Sequence, residues 1–268
     1  MFTAAKLFVV FALLLTIFTS CRSSAFIYTE DGKIECGADG KAIILTNNST
    51  AADPTFNELI AFILEDATDR KEYIASGPGA YVCADFAEQV HNNAEAAGIR
   101  AAWVSLTFEG TKQGHALNAF ETSDKGLVYI DCTNSGGSSG GGNATRSRDA
   151  MAYIERGKKY GVLPLERVLS AGYDYYPFEY DFYADCEKAW REYQIKSTAY
   201  NEEVERFNRE TGSRVFIIGS PETQRMLTWK EALTAAEREM AVLKARAGDR
   251  WLESQYSSYP VKNVIIHW

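Results

Sequence analysis

The sequence is poor in the residues that mark metal centres and nucleic-acid interfaces. It has only three histidines and five cysteines in 268 residues, and no C-x-x-C pair or histidine cluster. No metal site and no other cofactor are therefore predicted. It also lacks a run of basic residues, since 28 lysines and arginines stand against 36 aspartates and glutamates. A nucleic-acid partner is not expected, because phosphate backbones are bound by basic patches.

A segment long enough to span a membrane is also missing. The apolar residues 7–17, which follow Lys6, are too few for a transmembrane helix and are typical of a signal peptide, which we assign to residues 1–20. Phe18-Thr19-Ser20-Cys21 resembles a bacterial lipobox, in which the cysteine is lipidated. The alternatives are a plain signal peptide or an uncleaved anchor. We therefore expect an extracytoplasmic protein, anchored to the membrane through Cys21 or secreted if Cys21 is not lipidated.

Three residue types that can carry covalent chemistry occur in the stretch Tyr81–Thr133. The sequence reads Y-V-C-A-D-F-A-E around Cys83, Q-G-H-A-L-N-A-F around His115 and L-V-Y-I-D-C-T around Asp131. A thiol can act as a nucleophile, an imidazole as its general base, and a carboxylate as the group that orients the base. These three residues are the predicted catalytic residues.

Helical periodicity over residues 83–97 places Cys83 in the first turn of a helix, after a Gly- and Pro-containing loop. The free N–H groups and the macrodipole at a helix start favour a thiolate, although Asp85 opposes it. His91 would lie about 12 Å further along the axis, which is too far for a base. His267 has no motif around it, so His115 is the predicted base.

The segments after this helix predict antiparallel strands. Residues 101–109 alternate between two sets of side chains, as in a half-buried strand, and two glycine-containing turns lead into the strands of His115 and Asp131. Together with a hairpin in residues 26–46, a helix capped by Asp53 with Pro54 at its first position, and further strand character in residues 150–165, this pattern predicts an α+β fold. The apolar face of that helix comprises Phe56, Ile60, Ile63, Leu64 and Ala67.

The pairing of these two strands decides whether Asp131 can serve His115. Side chains alternate between the two faces of a sheet, so pairing Asp131 with Asn118 would put the two groups on opposite faces. Pairing Asp131 with Ala119 through a three-residue loop would restore the face but leave His115 about 13 Å away. Pairing Asp131 with Leu117, through a five-residue loop from Thr122 to Gly126 or an equivalent bulge, makes His115 its diagonal neighbour. We predict the pairing with Leu117.

The three motifs resemble those of bacterial and archaeal transglutaminase-like cysteine hydrolases, over about residues 50–170. The resemblance implies a papain-like core, with Cys83, His115 and Asp131 as its triad and a peptide or carboxamide as its substrate. Cys132 stands where the family more often has proline, and Tyr81 and Trp103 are candidates for oxyanion support. We assign residues 26–175 to the transglutaminase-like domain.

Two other functions stay open. One is a binding module that has this fold without turnover, and the other is a metal site built from Cys83, His115 and Asp131, for which a fourth ligand is missing. If Cys83 is free, at most one disulfide can form among Cys36, Cys132 and Cys186. Residues 134–143, which are rich in glycine and serine, form either a lid over the site or a solvated connection.

The last third of the chain predicts an antiparallel helical hairpin over residues 176–255, attached to a core that folds alone. Two seams with coiled-coil spacing run from Cys186 to Phe207 and from Trp229 to Ala247, the second after a Thr228–Glu231 capping box. Seven of the eleven residues in 173–183 are aromatic and are expected to form the root of the hairpin. Apolar residues 215–218 lie at its tip, where they are exposed to a protein partner, a membrane or a second copy, or buried if the hairpin folds back. Residues 256–268 form a C-terminal strand or tail.

Overall fold

The computed structural model describes residues 22–133, 149–171, 177–212, 214–248, 251, 254 and 256–268. The predicted signal peptide, Cys21, and the predicted lid or connection at residues 134–143 lie outside them. In the described part the chain is α+β with antiparallel sheets, as predicted.

The strands form one two-stranded and one six-stranded sheet. The strands are β1 (Arg22–Phe26), β2 (Ile44–Asn48), β3 (Ala102–Phe108), β4 (Gly114–Thr122), β5 (Gly126–Asp131), β6 (Ala150–Tyr153), β7 (Gly161–Pro164) and β8 (Val261–His267). β1 pairs with β2, and the larger sheet has the order β7-β6-β5-β4-β3-β8. Its consecutive strands β3 to β7 form a meander. Strand β8, which follows α4 and α5 in the chain, pairs with β3.

The helices are α1 (Phe56–Glu65), α2 (Cys83–Ala96), α3 (Leu165–Ser170), α4 (Tyr180–Thr211) and α5 (Pro221–Ala247), with a short 3₁₀ turn at Thr68–Arg70. The predicted cap of α1 is wrong. Thr55 is the N-cap and forms a capping box with Glu58, whereas Asp53 pairs with Arg100 at 2.7 Å. The predicted apolar face is correct for Phe56, Ile60 and Ile63 but wrong for Leu64, which is 51% exposed, and for Ala67, which is exposed beyond the end of the helix. Leu59 is buried instead and completes the face, since it lies three residues from Phe56 and four from Ile63.

The six-stranded sheet curls until its two ends meet. The amide of Gly157 donates to Val261, and the amide of Val261 donates back to Lys158, both at 2.8 Å. The amide of Tyr160, which directly precedes β7, also donates to Tyr259 at 3.3 Å. Strand β8 therefore bonds to β3 on one side and to the segment before β7 on the other, and the sheet forms an incomplete barrel.

Strand β3 is fully buried on its inner face and partly buried on its outer face. Val104 and Leu106 point into the barrel and pack with Leu117 and Tyr160. Trp103 points outward and is only 2% exposed, because α2 covers it. The predicted alternation is confirmed. On the outer face Ser105 and Thr107 are partly exposed, as expected for a half-buried strand, and only Trp103 is more buried than predicted.

Helices α4 and α5 form the predicted antiparallel hairpin. They are about 48 Å and 40 Å long at 1.5 Å per residue. Helix α5 starts earlier than the predicted capping box at Thr228, because Ser220 caps it and Pro221 occupies its first turn. At the tip Val215, Ile217 and Ile218 are 98%, 76% and 96% exposed.

The root of the hairpin belongs to the main core. Phe182, Tyr183 and Cys186 of α4 are buried in the same cluster as Tyr153 and Leu163 of the sheet. This agrees with the expected internal role of the aromatic segment, although residues 173–176 of that segment lie outside the described part. The first turns of α4 therefore belong to the core, and the rest of the hairpin projects from it.

Because β8 belongs to the sheet, the expectation that the core folds without the C-terminal third needs correction. We now expect a chain ending near residue 175 to be insoluble, since it loses β8 and exposes the edge of β3. Replacing residues 197–237 by a short turn should instead leave a soluble protein, because it removes only the distal hairpin. Circular dichroism and thermal melting compare the two variants with the full chain, and a soluble, cooperatively melting 1–175 chain would contradict this expectation.

Candidate active site

His115 and Asp131 form a buried pair inside the barrel. Nε2 of His115 lies 2.8 Å from Oδ2 of Asp131, and the two side chains are 3% and 2% exposed. His115 is the second residue of β4, and Asp131 is the last residue of β5. A carboxylate accepts at this distance, so Nε2 carries the proton and Nδ1 is the basic nitrogen of the neutral ring.

The pair exists because the strands adopt the predicted register. Asn118 pairs with Ile130, and the ladder continues to Thr122 and Gly126. Asp131 therefore lies opposite Leu117 on the same face as His115, as the alternation of side chains requires. The offset is confirmed, but the loop is shorter than predicted, because Thr122 and Gly126 themselves pair and leave three residues between them.

Asp131 is held by three further hydrogen bonds that fix its carboxylate. Its Oδ1 accepts from the backbone amide of Thr133 at 2.9 Å and from the Thr133 hydroxyl. Its Oδ2 accepts from the hydroxyl of Tyr160 at 2.6 Å as well as from His115. Rotation of the Asp131 carboxylate would break at least one of these four hydrogen bonds, so its orientation is fixed.

The electrostatics of the pair favour an ion pair. Burial alone would lower the pKa of His115, but the charge and hydrogen bond of Asp131, together with Cys83, outweigh it and raise the pKa of His115 to about 10. Burial would likewise raise the pKa of Asp131, but His115, Thr133 and Tyr160 lower it to about 2. Asp131 is therefore ionised and His115 protonated at neutral pH.

Cys83 is the first residue of α2, as predicted, and is partly exposed. It packs against the cluster that contains Trp103 and Ala116, the neighbour of His115. Its thiol is close enough to help raise the pKa of His115. Nδ1 of His115 has no hydrogen-bond partner of normal geometry among the described residues. A thiol–imidazole contact that tightens only when substrate binds is common in free enzymes.

The start of α2 is anchored by Asp85. Its carboxylate accepts from the amide of Val82 at 2.8 Å and from the amide of Ala38 at 3.1 Å. A side chain on Gly37 would collide with it, because an added Cβ would stand 1.9 Å from Oδ1. Asp85 thus binds the residue 36–41 loop to the helix start and fixes the place of Cys83.

The other thiols differ from Cys83. No disulfide links the four cysteines of the described part: Cys36 is exposed, while Cys132 and Cys186 are buried. Burial and Asp149 raise the pKa of Cys132 well above its usual value. Burial also raises the pKa of Cys186, whose thiol lies 3.5 Å from the carbonyl oxygen of Arg246.

The remaining histidines lie elsewhere. His91 is fully buried in α2, where burial lowers its pKa. His267 packs against Trp103, with 5.7 Å between the ring centroids. His115 is thus the histidine that the structure brings to Cys83.

The two side chains suggested for oxyanion support are engaged with α2. The indole N–H of Trp103 donates to the carbonyl of Ala84 at 3.3 Å. The Tyr81 hydroxyl donates to the carbonyl of Asp85 at 3.0 Å and accepts from Lys71. As placed, both side chains hold the helix start rather than offer a donor to a ligand.

Sequence reasoning missed three residues of the site. Tyr160 and Thr133 bond to Asp131, and the Tyr256 ring lies 4.8 Å from the His115 ring, between centroids. Thr133 follows Asp131 by two residues, so a local turn could have been foreseen. Tyr160 and Tyr256 reach the site through closure of the barrel, for which no local signal exists.

No protein-family model, no curated protein and no solved structure matches this chain. Within the described residues no group of three or more His, Cys, Asp or Glu side chains could hold a metal ion. In the same part of the chain no helix is sufficiently long and apolar to cross a membrane. The function is therefore inferred from the geometry of the site.

The ion pair predicts how stability depends on pH. The pKa of His115 is raised from 6.5 to about 10 on folding, so its contribution is complete below pH 6.5 and is lost as the pH rises toward 10. The pKa of Asp131 is lowered from 3.8 to about 2, so its contribution is present above pH 3.8 and is lost as the pH falls toward 2. The pair should therefore stabilise the fold most between these two ordinary values.

Urea unfolding at pH 6 and pH 9 measures this effect. We expect the free energy of unfolding of the wild type to fall by up to about 3 kcal/mol between the two values, and that of His115→Gln to fall much less. His267→Gln is the matched control, and its free energy of unfolding should fall at least as much as that of the wild type, because burial lowers the pKa of His267 and its own contribution therefore has the opposite sign. If the free energy of unfolding falls equally between pH 6 and pH 9 for the wild type and His115→Gln, His115 is not charged in the folded protein.

Proposed function

We propose that this protein is a thiol-dependent amide hydrolase or acyl transferase of the transglutaminase-like type, acting on a peptide or carboxamide. The observation that carries the proposal is the buried hydrogen bond between His115 and Asp131 next to a thiol at a helix N-terminus. A nucleophile, a base and a carboxylate that orients the base are the parts that this chemistry needs. The transglutaminase-like assignment itself rests on the three sequence motifs.

In the proposed first step the Cys83 thiolate attacks the carbonyl carbon of the amide. The C–N bond breaks, the proton on His115 passes to the departing amine, and a thioester remains on Cys83. Because Trp103 and Tyr81 are engaged, the backbone N–H of Cys83 is the better candidate donor to the oxyanion, since the first amides of a helix have no intrahelical partner.

In the second step His115 takes a proton from water or from an acceptor amine. The new nucleophile attacks the thioester, the C–S bond breaks, and the thiolate returns. We favour water, because no lysine-acceptor site is marked in the sequence. Asp131 stabilises the imidazolium in both steps and stays ionised throughout.

Trapping of the thioester tests this proposal. The mature protein is incubated with glutamine-containing and carboxamide-capped peptides, and hydroxylamine is added as a competing nucleophile. We expect a mass increase on Cys83 and release of the hydroxamate, both lost in Cys83→Ser. Cys36→Ser is the control and should behave as the wild type. A protein that forms neither product with any peptide of the panel would favour the binding-module alternative.

That alternative has its own supporting observation, the exposed apolar tip at Val215, Ile217 and Ile218. A projecting hairpin with such a tip suits a protein partner. Ile217→Asp combined with Ile218→Asp should then abolish crosslinking of the protein to a partner in its native envelope, without unfolding the protein, because both side chains are exposed. Unchanged crosslinking would exclude the tip as a binding surface.

We also propose that the protein is exported and anchored through a lipid on Cys21. The supporting feature is the lipobox-like Phe18-Thr19-Ser20-Cys21 after an apolar segment. Cys21→Ser should release folded protein from the membrane fraction, because the substitution removes the site of the acyl chains. A lipidated Cys21 carries more than one acyl chain, which is enough for stable anchoring. Wild-type protein found wholly in the medium would exclude the lipid anchor.

A further inference from the structure

Among the described residues, the imidazole of His115 interacts with the side chains of Asp131, Cys83, Tyr160 and Tyr256. Asp131 of β5 bonds to its Nε2, and the Cys83 thiol of α2 interacts with the ring. Two tyrosine rings also contact it: Tyr160, which precedes β7, and Tyr256, which precedes β8. Their ring centroids lie 5.4 Å and 4.8 Å from that of His115.

Tyr256 is held rigidly against the imidazole. It is 5% exposed, and its ring stacks on Phe108 of β3 at 4.9 Å with an interplanar angle of 8°. The angle between the ring planes of Tyr256 and His115 is 33°, so these rings are closer to parallel than to perpendicular. The angle between Tyr160 and His115 is 73°. Phe108, Tyr256 and His115 thus form a continuous stack inside the barrel.

Such a stack favours a charged imidazole. The face of an aromatic ring carries negative charge density, and a cation within about 6 Å of the ring centroid is attracted to it, most strongly where water is excluded. The His115 side chain is 3% exposed, so water screens this attraction little. Burial, together with the nearby Asp131, raises the pKa of Tyr160 well above its usual value, so that side chain stays a neutral donor.

We propose that Tyr256 is a positioning residue of the active site, whose ring holds the protonated His115 side chain in place and favours its charge. The inference rests on the proposed role of His115 as the base of Cys83. Tyr256 belongs to the segment between α5 and β8, so the C-terminal third of the chain supplies part of the catalytic unit. A resemblance limited to residues 50–170 does not include this residue.

A pair of isosteric rings at position 256 tests the proposal. Tyr256→Phe keeps the negative ring face, whereas pentafluorophenylalanine at the same position reverses the charge of that face with little change in shape. NMR titration of the His115 ring protons measures the pH at which the imidazolium loses its proton. We expect Tyr256→Phe to titrate near the wild type and the fluorinated ring to shift the titration down by about one pH unit.

The alkylation rate of Cys83 is the second readout. It should fall by about twofold at pH 9 with the fluorinated ring, because a pKa of His115 lowered by about one unit from about 10 reduces the imidazolium fraction from about nine-tenths to about one half. Tyr259→Leu, in the same segment, controls for disturbance of the backbone and should change neither readout. The proposal is overturned if the two rings give the same His115 titration, or if Tyr259→Leu shifts it equally.

The two readouts separate this inference from the proposed function. If the His115 titration shifts as expected but Cys83 is not unusually reactive in the wild type, the role of Tyr256 stands and the nucleophile assignment fails. If Cys83 is reactive in both variants and the titration does not move, the nucleophile assignment stands and the role of Tyr256 fails.

Discussion

Replacing His115 by alanine is expected to slow alkylation of Cys83 at pH 6 by about two orders of magnitude. An isolated thiol is less than about 1% thiolate at this pH, whereas a thiol paired with an imidazolium is largely ionised. His115 is protonated far above pH 6, because Asp131 raises its pKa to about 10 against the effect of burial. Rates are measured with a small haloacetamide and mass-spectrometric detection of the labelled peptide.

This variant needs two controls. Removing the imidazole leaves the Asp131 carboxylate buried without its charge partner, so His115→Gln, which keeps a donor, checks that any loss is not due to unfolding. His267→Ala removes a histidine that contacts Trp103 and should leave the rate unchanged. A His115→Ala protein that is folded and reacts at the wild-type rate would remove His115 from the site.

Asp131→Asn is expected to lower turnover by about three to four orders of magnitude. An amide cannot stabilise the imidazolium, and it can bind the ring in the wrong tautomer. Here the loss should be large because all the observed donors to Asp131, from His115, Thr133 and Tyr160, are arranged around an ionised carboxylate. The measurement is the rate of hydroxamate formation from the best peptide of the panel.

Asp69→Asn is the matched control for this substitution. Asp69 is also a buried carboxylate, 5% exposed, but it lies on the 3₁₀ turn after α1. It should change stability without lowering the rate of hydroxamate formation by the folded protein. If Asp131→Asn lost no more activity than Asp69→Asn, the orienting role of Asp131 would be wrong.

The positions of Cys83, His115 and Asp131 could be predicted from the sequence, because they depend on the geometry of single helices and neighbouring strands. The position of Cys83 follows from helix periodicity and the preceding loop, and α2 begins at this residue. The pairing of His115 with Asp131 follows from parity, because only one of the considered registers puts both side chains on one face within reach. These rules need no knowledge of the remaining fold.

Other features depended on contacts between distant segments. Trp103 is buried because α2 packs on it, and Tyr160 and Tyr256 reach His115 because β8 closes the barrel. Helix α5 starts before the predicted capping box, since Ser220 followed by Pro221 is a stronger start than Thr228 with Glu231. Alternation within one strand shows which side chains share a face, but not what covers each face.

The central claim, that Cys83 is the nucleophile, is tested most directly by mass-spectrometric mapping of mild alkylation at pH 6 on the purified mature protein. Cys36 is the internal control, because it is more exposed than Cys83. Access alone would therefore label Cys36 first, and the buried Cys132 and Cys186 last. Activation by His115 predicts the opposite order for the first two, with Cys83 labelled at least about tenfold faster than Cys36. Labelling of Cys36 at an equal or higher rate would contradict the claim.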